Sequence, residues 1–147
     1  MKAKLLQLTN NVIGAIETNG YMPFGVITVT YPGYDVCPQQ TYSIASSTSD
    51  TVVINREGTY RVIYNASVVA TAAGDVVFTL VVNGVNKYTV TVTATEAGTV
   101  NVTIPYEIYI PCNCCSNPNN VPAYIQVQST GVALTSGTSN LIISRES

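Results

Sequence analysis

One stretch narrows the fold more than any other. From Gly58 the chain reads GTYRVIYNASVVA, where Tyr60, Val62, Tyr64, Ala66 and Val68 alternate with Arg61, Ile63, Asn65 and Ser67. A period of two puts these sets on opposite faces of a β-strand. DVVFTLVVNGV follows and ends at Asn83-Gly84, after which NKYTVTVTAT resumes the alternation. Asn-Gly between two alternating runs suits the positive φ angles of a type I′ turn, so the pair predicts a β-hairpin.

The same signature recurs elsewhere. GVITVTY runs from Gly25 to Tyr31 and stops at Pro32-Gly33. QTYSIAS and TVVI flank the polar cluster from Ser46 to Asp50. GTVNVTIPYEIYI runs from Gly98 to Ile110, and AYIQVQSTG and SNLIISRES close the chain. No segment sustains a helical period. These runs predict an all-β chain, a jelly-roll β-sandwich of eight to nine antiparallel strands. Gly58 suits a positive φ before its strand. Pro105 cannot donate to a ladder, so it marks an edge, a bulge or a bend between sheets.

The first residues read differently. LLQLTNNVIGAIETNGYMPFG has neither clean alternation nor a capped helix, and Gly14, Gly20, Pro23 and Gly25 interrupt it. Two readings fit: an extended arm, or a first strand packed on its own domain. The expectation adopted is an attachment arm over 1–24, followed by a trimerisation and display domain over 25–147. Leu5, Leu6, Leu8, Val12, Ile13 and Ile16 would anchor the arm on a partner.

Composition sets the partner class. The 147 residues suit one domain with one core. Only 10% are charged while 46% are apolar, against a usual charged quarter. So few charges leave a surface that needs cover, and sister subunits would supply it. The net charge of −2 argues against nucleic acid or an anionic membrane as partner. No apolar run approaches the ~18 residues of a membrane span, and no secretory signal stands out. The chain is expected to fold in a cytoplasm.

At INREGTYRVIYNASVVATAAGDVVFTLVVNGV the pattern resembles the trimeric jelly rolls of the tumour necrosis factor and complement-globular type. The shared elements are Gly58 and Tyr60 entering a strand, and a strand ending in Asn83-Gly84. The closing SGTSNLIISR resembles the last strand, which in that fold runs near the threefold axis. Similar chains include the C-terminal domains of collagen-like spore-surface glycoproteins and short structural proteins of tailed phages. The resemblance covers about residues 50 to 147, and no Gly-X-Y repeat is present. The segment LQLTNNVIGAIETNGYMPFG resembles the attachment end of phage head-fibre or capsid-decoration proteins. The resemblance implies a homotrimeric, non-enzymatic virion protein, displayed on the virion surface and anchored on a capsid or fibre protein. The alternatives are a receptor- or glycan-binding knob on a host surface and a spore or cell-surface display domain.

Catalytic chemistry is sparse. There is no histidine, so no Ser-His-Asp or Cys-His pair can be built. Of the eight acids, Glu107 in PYEIYI falls within a predicted strand, and most of the others fall in predicted turns. No enzymatic activity and no cofactor are expected. IPCNCCSNPNN carries Cys112, Cys114 and Cys115, and Cys37 is the fourth cysteine. C-x-C-C is a poor zinc spacing. Three readings stay open: free thiols in a polar loop, a disulfide from Cys37, and a thiolate metal site, with metal the weakest. Tyr31, Tyr34 and Tyr42 cluster around Pro32-Gly33 and Pro38. They are candidates for ligand binding, although half-buried interface packing suits them better. Asn65-Ala66-Ser67 and Asn101-Val102-Thr103 match glycosylation acceptors but fall inside predicted strands, which discounts them.

Overall fold

A computed structural model describes residues 4–31, 42–44, 50–54, 57–111 and 123–146. Ten strands are present among them, more than the eight or nine expected, and they form two antiparallel five-stranded sheets. Their bounds are β1 (Lys4–Ile13), β2 (Val26–Tyr31), β3 (Tyr42–Ile44), β4 (Val52–Ile54) and β5 (Gly58–Ala70). Then come β6 (Gly74–Val82), β7 (Val85–Ala94), β8 (Gly98–Ile110), β9 (Ala123–Gly131) and β10 (Leu134–Arg145). The first sheet has the order β2-β1-β10-β5-β8, and the second β3-β4-β9-β6-β7. This is the jelly-roll sandwich that the alternating runs predict.

The alternating stretch from Gly58 is an interior strand of the first sheet, between β10 and β8. Strand β5 pairs with β8 without a register break from Gly58↔Ile110 to Ala70↔Gly98. Its burial alternates as the sequence does: Tyr60, Val62, Tyr64 and Val68 are buried, while Arg61 and Asn65 are exposed. Pro105 lies opposite Ile63 in β8. Among the described residues that strand is a sheet edge, where a missing donor is tolerated. The predicted hairpin joins β6 to β7. Asn83 and Gly84 adopt φ of 51° and 79°, and Asn83 is clipped to the start of β9, its Oδ1 accepting from Tyr124 N at 2.8 Å.

The expected extended arm over 1–24 is corrected. Residues 4–13 are β1, an interior strand held between β2 and β10. Its register with β10 runs Lys4↔Arg145 to Asn10↔Ser139, then shifts at a bulge before Ile13↔Gly137. Leu6, Leu8 and Ile13 are fully buried in the sandwich core. The chain then crosses to the second sheet. Strand β4 pairs with β9 over Ala123 to Ile125 only, which leaves that side of β9 open further along. Residues 19–22 fill it: Met22 N donates to Val127 O and Asn19 N to Ser129 O, both at 2.8 Å. Met22 and Phe24 enter the core, and Phe24 meets Tyr64 edge to face at 5.9 Å. Gly25 then turns back at φ 85°, where any Cβ would strike the Thr9 carbonyl. Residues 4–24 therefore clasp both sheets. The reason is burial: Leu6, Leu8 and Ile13, three of the side chains that look like anchors, fill their own core, and each contributes about 1.5–3 kcal/mol by leaving water.

Candidate interaction surfaces

Three surface regions follow from this frame. The first is the edge formed by β7 and β8, where both sheets end on one side of the sandwich. Strand β7 has perfect β chemistry yet almost no cover. From Val85 to Thr93 every residue is exposed or half-buried. Val90, Val92 and Tyr106 lie against the rim of the core and stay half-buried. Tyr88 and Tyr106 close the gap between the sheets, with ring centroids 5.8 Å apart and planes tilted by 44°. Tyr88, Tyr109 and Val85 are exposed along this side. A ten-residue edge strand with one lysine is an open template for pairing, a state that soluble proteins avoid or cover.

The second region is the corner where β1 meets β2. The bulge after Asn10 turns Val12 outward, and its N–H donates to Asn10 Oδ1 at 3.0 Å. Val12 is 83% exposed and Val26 69%. Of the six expected anchors, Val12 alone is fully exposed; Leu5 and Ile16 are half-buried.

The third region is an open trough of about 480 Å³ on the outer face of the first sheet. The pairing register explains it. One cross-strand row reads Thr9, Asn140, Asn65, Thr103, and the next contains Thr138, Ser67 and Asn101. The two glycosylation-like tripeptides pair antiparallel, Asn65 opposite Thr103 and Ser67 opposite Asn101. Thr103 Oγ1 donates to Asn65 Oδ1 at 2.8 Å, and Gln7 Nε2 donates to Asn140 Oδ1 at 3.2 Å. Both amide groups are thereby oriented, with their NH₂ ends left to donate. Among the described residues, no charged side chain lines the trough. Beneath it, the Tyr64 hydroxyl is buried with that of Ser139 as polar neighbour, and neither makes a full hydrogen bond. Burial pushes the Tyr64 phenol far above its usual range, and Ser139 pulls weakly the other way.

The remaining expected site residues are not brought together. Tyr31 ends β2 and Tyr42 begins β3, on opposite sheets. Tyr34, Cys37, Cys112, Cys114 and Cys115 lie outside the described residues, so the three cysteine readings stay as they were. Sequence reasoning missed the β7–β8 edge and the trough. The signals were present in NKYTVTVT and in the two Asn-x-Ser/Thr tripeptides, but alternation alone does not tell an edge strand from a central one.

Comparison with known proteins supports the fold. No family model matches the chain, and no curated protein matches it. Among solved structures it is similar to the Eiger tumour necrosis factor of S. frugiperda, with a TM-score of 0.73 at 8% identity over 100% of this chain and 94% of that one. It is also similar to the globular domain of zebrafish complement 1qA, with a TM-score of 0.63 at 8% identity over 94% of each chain. The PRD1 vertex protein matches with a TM-score of 0.60 at 12% identity, over 98% of this chain and 97% of that one. The chain has the jelly-roll fold of tumour necrosis factor and complement-globular domains.

Proposed function

We propose that this chain is a non-enzymatic structural domain that works as a homotrimer on the surface of a virion, as a head-fibre or capsid-decoration protein. The observation that carries self-association is the uncovered β7–β8 edge. Half-buried Val90, Val92 and Tyr106, with exposed Tyr88 and Tyr109, make an apolar rim on a chain with 10% charged residues. Copies that cover one another's edges satisfy β7 and bury these side chains. A ring closed at three is the assembly implied by the resemblance to trimeric jelly rolls. The virion setting is supported by the fold shared with the PRD1 vertex protein. Attachment to a capsid or fibre partner passes to the β1–β2 corner, where Val12 and Val26 stand exposed, because Leu6, Leu8 and Ile13 are occupied in the core.

Light scattering at micromolar concentration tests the assembly. The expected mass is three times 15.6 kDa; a monomer mass rejects the reading. Attachment is tested by Val12→Asp, which should keep the trimer and abolish incorporation into the particle.

A further inference from the structure

We propose that β7 also pairs with the β7 of a second copy, antiparallel and about a twofold axis, and that this pairing competes with the proposed trimer for the same edge. The proposal goes beyond the trimer reading and rests on β7 and the turn that follows it. Thr89-Val90-Thr91-Val92-Thr93 reads the same in both directions. A twofold contact lays one patch against itself, so that patch must be self-complementary. An antiparallel pair centred on Thr91 sets Thr91 opposite Thr91, Val90 opposite Val92 and Thr89 opposite Thr93. Odd positions meet odd ones, so both faces of the sheet continue across the axis.

The fold leaves this pairing open. Among the described residues β7 is hydrogen-bonded to β6 and to no other strand. Thr89, Thr91 and Thr93 are exposed on the outer face. The pair would join two second sheets into one of ten strands, with threonine opposite threonine on that face. On the other face Val90 and Val92 are half-buried against the rim of the core. The contact completes a burial that a single chain leaves partial. Tyr88 falls opposite Ala94, a large side chain against a small one.

Charge sets the direction. From Tyr88 to Thr95 no residue is charged; Lys87 precedes the run and Glu96 follows it. Lys87 is half-buried and Glu96 exposed. In the antiparallel register Lys87 lies opposite Thr95 of the second copy, beside its Glu96, and the axis repeats that pair at the other end. A parallel pair would set Lys87 beside Lys87 and Glu96 beside Glu96, and like charges across strands oppose pairing. A twofold contact closes at two copies, so it excludes a ring of three that covers the same strand.

The test is oxidative cross-linking of the full chain carrying Thr91→Cys. Paired as proposed, the two Cα atoms at position 91 lie about 4.5–5.5 Å apart, within disulfide reach. The expected product has twice the mass of 15.6 kDa, with position 91 joined to position 91 in the peptide map. Thr89→Cys is the control: its symmetry mate lies four residues along the strand, about 13 Å away, and should not link. Lys87→Glu added to Thr91→Cys should cut the link severalfold, and further addition of Glu96→Lys should restore it. No link through position 91, or an equal link from Thr89→Cys, overturns the proposal. So does a link that Lys87→Glu leaves unchanged, or a loss that the charge swap does not restore. Light scattering of wild type keeps the two readings apart. A trimer mass without the position 91 link rejects this pairing and leaves the assembly reading standing; a monomer or dimer mass with that link does the reverse.

Discussion

Strands β1 and β7 are both ten residues long, and they exchange the places their sequences suggest. KLLQLTNNVI breaks alternation with two asparagines and a run of leucines, yet it is an interior strand with Leu6 and Leu8 fully buried. VNKYTVTVTA alternates cleanly, yet from Val85 to Thr93 it has no fully buried residue. Alternation reports that a strand forms. Burial is decided by which strand sits beside it. Strand β1 lies between two hydrogen-bonded partners, and β7 has β6 on one side and, among the described residues, no hydrogen-bonded strand on the other. The uncovered strand is therefore where the proposed subunit contact lies, and the irregular one is where the fold is held.

The largest test of this contrast is deletion of residues 1–13. The sheet would lose an interior strand and Leu6, Leu8 and Ile13 would leave the core. The truncated chain should show no cooperative thermal transition by circular dichroism. A cooperative melt near that of wild type would restore the arm reading.

Next in size, Leu8→Ala and Phe24→Ala should each cost about 3 kcal/mol, the usual penalty for emptying a packed core site. Urea unfolding checks this. Within the same assay, Thr91→Ala in β7 should change stability by less than about 0.5 kcal/mol. Equal losses in β1 and β7 would dissolve the comparison.

A third variant separates fold from assembly. Tyr88→Ser together with Val85→Ser should leave the monomer folded and raise the concentration needed for the trimer. Sedimentation velocity across a dilution series measures it. An unshifted dissociation midpoint would move the subunit contact away from β7.

The smallest effect concerns Tyr64. Its phenol is held neutral by burial, so its pKa is raised on folding. The unfolded chain loses that proton from about pH 10 upward. Stability from this group is thus complete below pH 10 and falls as pH rises beyond it, by up to about 1.4 kcal/mol per pH unit. Tyr64→Phe should flatten that alkaline loss. At neutral pH it should change stability by less than about 1 kcal/mol, since the hydroxyl lacks a full hydrogen bond.

Much of the fold is legible in the sequence. The period-two runs mark most of the strands, Asn83-Gly84 marks the hairpin, and Pro105 marks a sheet edge. The strand at the N-terminus is not legible, because Leu5-Leu6 and Asn10-Asn11 hide a half-buried pattern that a bulge then shifts. The second connection of that segment, from Asn19 to Met22 onto β9, is non-local and uses backbone groups, which carry no residue signature. The trough is legible in retrospect. Asn65-Ala66-Ser67 and Asn101-Val102-Thr103 are separated by more than thirty residues in the chain and become one site only through the β5–β8 register.

Hydrogen exchange followed strand by strand, above and below the dissociation concentration of the trimer, tests the central contrast most directly. Amides of β1 should exchange as slowly as those of β5 at both concentrations, because their protection comes from the fold. Amides of β7 that are not paired with β6 should be protected at high concentration and fast on dilution, because their protection comes from a neighbouring subunit. Fast exchange in β1, or exchange in β7 that ignores concentration, would contradict the account.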